Sequence, residues 1–226
     1  MNLSDLRAAN EYAQSSGVKA VIFGAAGSGK TPLIATAPRP VLLATEPGML
    51  SLKGCNVPTY QAYTAAKIDE FFAWLKNSNE TKNFDTIAVD STSQMADIYL
   101  QEAKKTIKHG LQQYGDMAER TMKNLRDLYF LQQKHTYLIA KEEIKTVNNT
   151  NYRRPFFPGQ LLPIEVPHQF DAILHLAKVN ILGVQGEQLA FRCVGSYDVM
   201  ARERTGKAAE FEQPHFGNLV TKLMSS

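Results

Sequence analysis

Eight consecutive residues carry the most specific chemistry in the chain: Gly24, Ala25, Ala26, Gly27, Ser28, Gly29, Lys30 and Thr31. They fit the spacing G-x-x-x-x-G-K-[ST] in full. Small residues let successive backbone N–H groups turn toward one phosphate, at a helix N-terminus that favours anions. Lys30 then reaches the β and γ phosphates of ATP, and Thr31 offers its hydroxyl to Mg2+. A metal there needs a carboxylate. Asp90 closes the apolar run Thr86-Ile87-Ala88-Val89, the place for a metal-side acid, whereas Asp85 starts that run and falls at its other end. Hydrolysis also needs a group to take the proton of the attacking water. Glu46 precedes Pro47-Gly48 at the end of another apolar run, the edge where open α/β sheets place their ligands. Near the C-terminus Arg202 and Arg204 stand one residue apart, so a strand would point both to one side. By spacing alone they read as surface charge.

These groups need a sheet to hold them. Residues 18–24, 40–48 and 84–91 are apolar, β-rich runs and predict buried parallel strands, with a fourth over 135–140. Helical spacing covers 67–78 and a long stretch from 92 to 133, broken near HGLQQYG. A helix is expected from Thr31, with Pro32 tolerable in its first turn. Residues 4–16 predict a short amphipathic helix, so that residues 1–17 form a helical extension. Residues 145–160 read as irregular. Residues 172–179 and 188–195 predict a late hairpin turning near Gly183 to Gly186. The pattern implies one α/β domain over residues 1–226: a mostly parallel sheet flanked by helices, with a late antiparallel hairpin.

With 226 residues, 44% hydrophobic and 21% charged, the composition is that of an ordinary globular domain. A net charge of +3 gives no global basic field, so any nucleic-acid site must be a local patch. Two cysteines read as reduced thiols, and no Cys/His group has metal-ligand spacing. The N-terminus is polar, and no run approaches the roughly 20 apolar residues of a membrane span. A cytoplasmic protein is expected.

GAAGSGKT, the strand ending at Glu46, and IAVDS together resemble the RecA-type ATPase core. The chain is similar to small phage-encoded RecA-like proteins, the Sak-type single-strand annealing ATPases. ATEPG, FPGQLLPIEVPHQFDAILHL and ARERTGKAAEFEQPHFGNL carry the likeness over nearly the whole chain. The resemblance implies a catalytic role for Glu46, Mg2+ held at Asp90, and Arg202 and Arg204 as cations that reach a neighbouring subunit's γ-phosphate. It therefore implies a homo-oligomer with shared sites. Such proteins place Gln or His where this chain has Lys141, which becomes the candidate γ-phosphate sensor.

Lys145, Tyr152, Arg153, Arg154, Phe156 and Phe157 mix cations with rings after the fourth strand, as single-stranded DNA binding requires. Phe156 and Phe157 either stack on bases or anchor the segment to the core. KKTIKHGLQQY (104–114) is a second candidate loop. The leading reading is an ATP-hydrolysing, single-stranded DNA-binding protein of phage recombination. A small helicase or helicase loader, a nucleotide kinase and a non-hydrolysing ATP switch are the alternatives.

Overall fold

The computed structural model describes residues 2, 6, 8, 11, 12, 15–147, 149–181, 183 and 185–225. The helix expected over residues 4–16 falls largely outside them. In chain order come β1 (Lys19–Gly24), a 3-10 helix (Pro32–Thr36), β2 (Pro40–Ala44), a second 3-10 helix (Met49–Leu52), β3 (Thr59–Gln61) and α1 (Ala65–Asn77). A third 3-10 helix (Asn79–Asn83), β4 (Thr86–Asp90), α2 (Thr92–Thr106), α3 (Gly110–Phe130), β5 (His135–Val147) and β6 (Thr150–Phe156) follow. The chain closes with α4 (Leu162–Gln169), β7 (Ala172–Asn180), β8 (Glu187–Arg192), β9 (Arg202–Glu203), β10 (Phe211–Glu212) and α5 (Phe216–Met224).

All strands join one sheet of order β10-β8-β7-β1-β5-β4-β2-β3, with β6 on β5 and β9 on β7. From β7 to β3 the pairing is parallel, and β8 folds back antiparallel on β7. The expected layout of the sheet is therefore found. Alternation along each strand feeds two cores. Val21, Phe23, Val89 and Leu138 pack under α1 to α4, while Ala20, Ile22, Leu42 and Tyr137 pack under the first 3-10 helix and α5. Cys55 is exposed, Cys193 is buried, and neither is bonded to another.

Four expectations need correction. The helix after Thr31 is only the five-residue 3-10 turn Pro32–Thr36. Pro38 pushes Ala37 into an extended conformation and stops it. The stretch read as irregular is a ribbon: β5 runs on past residue 140 and pairs antiparallel with β6 from Lys141↔Phe156 to Val147↔Thr150. Its charged and asparagine-rich residues hide it, because it runs beyond the central sheet and shows no apolar alternation. Asn149, at φ 62°, takes the left-handed turn conformation that asparagine tolerates. The break between α2 and α3 lies at 107–109, so most of HGLQQYG is helical. Finally, α4 and α5 were not expected; two prolines inside α4 mask its helical pattern.

Lys19 is buried to 0% exposure in β1 and donates to the carbonyls of Leu131 (2.8 Å) and Lys134 (2.5 Å), where the chain leaves α3 for β5. Burial pulls its pKa from 10.5 down to about 8, against the attraction of Asp171. A neutral amine still has two N–H groups for the two carbonyls. The unfolded chain holds this proton up to the higher value, so stability from this site rises as pH climbs from about 8 toward 10.5. Urea unfolding at pH 7.5 and pH 10, for wild type and Lys19→Met, should show the wild type gaining on the variant by on the order of 3 kcal/mol. An unchanged difference would contradict this.

Candidate nucleotide site

The phosphate loop leaves β1 at Gly24, whose neighbour β7 comes so near that a Cβ there would lie 2.4 Å from the carbonyl oxygen of Leu176. Gly27 and Gly29 take φ of 75° and 94°, which side-chain-bearing residues rarely adopt. Ser28 N–H closes the turn on the Ala25 carbonyl at 3.1 Å. Ala25, Ala26 and Ser28 supply the rest of the cradle. Lys30 Nζ donates to the carbonyls of Gly24 (2.7 Å) and Ala25 (2.8 Å) and to Ser28 Oγ (3.3 Å). Burial lowers its pKa, while Asp90, Glu142 and Glu46 pull the other way.

Thr31 Oγ1 donates to Asp90 Oδ2 at 2.5 Å. Asp90 is 9% exposed; burial raises its pKa, Thr31's hydrogen bond opposes this, and the Glu46 charge adds to it. A divalent cation beside Asp90 would relieve that desolvation. Among the described residues no cluster of three His, Cys, Asp or Glu could hold a metal alone. A hydroxyl touching one carboxylate is the donor set that suits Mg2+ shared with nucleotide phosphates. Thr31 and Asp90 fit that ion.

Glu46, two residues past the end of β2, accepts a short hydrogen bond from Ser91 Oγ, and Lys141 Nζ lies 3.4 Å from Glu46 Oε1. Lys141 also donates to Gln94 Oε1 at 2.9 Å. Ser91 caps α2 by accepting from Gln94 N–H at 3.1 Å, and its backbone exchanges two hydrogen bonds with the Thr45 hydroxyl. Ser93 Oγ accepts from Lys141 N–H (2.9 Å) and donates to the Phe156 carbonyl (2.6 Å). The ends of β1, β2 and β4, with the point where β5 passes them, thus bring Lys30, Thr31, Glu46, Asp90 and Lys141 to one edge of the sheet. Sequence reading missed Ser93, Gln94 and the buried pair His175–Glu142, whose side chains meet at 2.8 Å. Ser91 carried a signal, since it follows the acid and begins a helix; Gln94 carried none.

Arg202 and Arg204 are not at that edge. β9 pairs Arg202 with Ile173 and Glu203 with Ala172, at the start of β7, so both arginines sit at the end of the sheet away from their own phosphate loop. Arg202 donates to the carbonyls of Pro167, His168 (3.3 Å) and Phe170 (3.0 Å). Arg204 donates to the His168 carbonyl and to Asp171 Oδ1 (3.3 Å). They close the C-terminal end of α4, whose last carbonyls have no partner within the helix.

The β5–β6 ribbon extends from the edge that carries Lys141. Lys145 is exposed, Tyr152 half-buried and Phe156 36% exposed. Arg154 is paired with Glu143 at 2.6 Å, and Arg153 lies between Glu142 (3.8 Å) and Asp198 (4.0 Å). Phe157 is 2% exposed and belongs to the core with Leu162 and Val166, which closes its ring to any base. The second candidate loop has Lys104 and Lys105 in the last turn of α2 and Lys108 in the break beyond it, all exposed and without an ion-pair partner among the described residues.

A glycine-rich loop after a buried strand, a hydroxyl on a strand-end aspartate and a glutamate one strand further define a P-loop nucleotide-binding α/β domain. Residues 16–205 match the AAA domain family, and the chain belongs to that family. The protein is a nucleotide-binding ATPase. Among solved structures it is similar to a KaiC-like protein, PH0186, from the hyperthermophilic archaeon Pyrococcus horikoshii OT3, at 12% identity and a TM-score of 0.43, over 78% of this chain and 77% of that one. No curated protein sequence matches. Among the described residues no helix is long and apolar enough to cross a membrane.

Proposed function

We propose that this ATPase binds single-stranded DNA and acts in phage DNA recombination or annealing, as a homo-oligomer whose active sites are shared between subunits. In this reading Gly24 to Thr31 hold the ATP phosphates, Thr31 and Asp90 hold Mg2+, Glu46 activates water, and Lys141 senses the γ-phosphate. One observation carries it: β5 delivers Lys141 to Glu46 and then continues, without a break, into the ribbon bearing Lys145, Tyr152, Arg153, Arg154 and Phe156. A strand shared by that edge and by a ribbon that exposes Lys145 and Phe156, with Tyr152, Arg153 and Arg154 partly buried beside them, supports an ATPase working on a single strand. Exposed cations and rings hold phosphates and bases without regard to sequence.

The test is ATPase rate against protein concentration, with and without single-stranded DNA. Specific activity should rise with concentration, and DNA should raise it further at fixed concentration. A flat profile that ignores DNA would reject both the shared site and the DNA ligand. Processive unwinding of duplex DNA would move the assignment to a helicase.

A further inference from the structure

The turn that follows the phosphate loop lacks the support a long α-helix would give it. In an α-helix the Lys30 carbonyl would accept from the N–H four residues on. Here Ile34 N–H donates to the Thr31 carbonyl instead, at 3.1 Å, and Ala37 N–H donates to Ile34 at 3.0 Å. The Lys30 carbonyl is left to another donor. Tyr137 supplies it from β5: its hydroxyl donates to Lys30 O at 2.9 Å. Tyr137 is fully buried, and burial pushes its pKa well above the ordinary value, so the phenol keeps its proton.

Tyr137 is held in turn by α5. The Phe216 ring meets it edge to face, with centroids 4.9 Å apart at 86°. Phe216 N–H donates to Thr36 Oγ1 at 2.8 Å, which fastens the start of α5 to the end of the 3-10 turn. At Gly217 a Cβ would lie 2.8 Å from the Thr36 carbonyl oxygen, so helix and turn are in backbone contact. Leu219, Val220 and Leu223 extend this contact into the cluster containing Ile34 and Ala37.

We propose that Tyr137 and the C-terminal helix α5 are positioning elements for ATP binding: the Tyr137 hydroxyl sets the Lys30 carbonyl, and α5 sets Tyr137 and the turn. Neither is placed to touch the nucleotide. The location of the Lys30 ammonium and Thr31 hydroxyl therefore depends on the far end of the chain. The inference rests on the reading of Gly24 to Thr31 as the phosphate site. Because coupling between two sites is reciprocal, nucleotide bound at the loop must also steady α5.

The experiment is calorimetric titration with Mg-ADP of wild type, Tyr137→Phe and Thr36→Val, with hydrogen exchange of residues 216–224 in the presence and absence of Mg-ADP. Tyr137→Phe should weaken binding roughly tenfold, the affinity equivalent of one buried hydrogen bond. Mg-ADP should slow exchange in α5 of the wild type and slow it less in Tyr137→Phe, where only the direct link through Thr36 remains. Thr36→Val keeps the phenol but unfastens α5, and should weaken binding in the same direction even if Tyr137→Phe does not fold. A folded Tyr137→Phe with wild-type affinity, or α5 exchange indifferent to Mg-ADP, would overturn the proposal. A wild-type chain that fails to bind Mg-ADP would overturn the phosphate-site reading beneath it.

Discussion

Glu46→Gln is expected to slow ATP turnover by at least about a hundredfold, the range of one well-placed general base, while nucleotide affinity stays within a few-fold. The substitution keeps the shape and removes the proton acceptor. Ser91 can still donate to the amide oxygen, so the side chain should hold its place. What changes is charge: Lys141 loses the carboxylate 3.4 Å away, and buried Asp90 loses a like-charged neighbour that raises its pKa. Metal-side binding should therefore survive or tighten, and the loss should fall on kcat. Single-turnover hydrolysis beside a nucleotide-binding titration separates the two. Turnover close to wild type would move the base elsewhere on this edge.

Arg204→Ala is expected to cost about a thousandfold or more in ATPase rate if its guanidinium reaches a neighbour's γ-phosphate. The structure sharpens this test, because each arginine has an alternative task. Arg202 is committed deeper: three carbonyls surround it, and its Nε is buried without a partner among the described residues. Arg204, 42% exposed, is held by the His168 carbonyl, a long 3.5 Å contact to the Gln169 carbonyl and the rim carboxylate of Asp171, and is the freer of the two. Arg202→Ala should mainly cost stability, about 2 kcal/mol for orphaned carbonyls, whereas Arg204→Ala should mainly cost rate. Mixing Arg204→Ala with Glu46→Gln subunits should restore part of the activity, since some interfaces then pair an intact arginine with an intact glutamate. No recovery, together with lowered melting temperatures and unchanged kcat, would assign both arginines to closing α4.

The parts of this protein that could be read from sequence are those fixed by local rules. A glycine-rich loop between an apolar strand and a turn needs no partner to be recognised, and Asp90 and Glu46 are marked by ending apolar runs. The four buried parallel strands and the late hairpin follow from continuous or alternating apolar runs. What was hidden depends on contacts distant in sequence. The ribbon is held by cross-strand backbone pairing, with charged side chains on both faces, so no hydrophobic period betrays it. The short turn after Thr31 is set by Pro38, but the partner that completes it, Tyr137, lies on another strand. The pair Lys141–Glu46 exists only because β5 passes the edge where β2 ends, on the other side of β4. The same geometry removed Phe157 from the ring-bearing face and put Arg202 and Arg204 far from their own loop.

The unequal environments of the two cysteines make this chain its own reporter. Burial pushes the Cys193 thiol up to about 12, so it stays protonated and shielded in neutral buffer. Cys55 is exposed, just beyond the 3-10 turn that follows Glu46. A maleimide dye should therefore attach at one position without any engineered mutation. Nine residues on from Glu46, that dye would give the proposed subunit association and ATP turnover a shared optical signal.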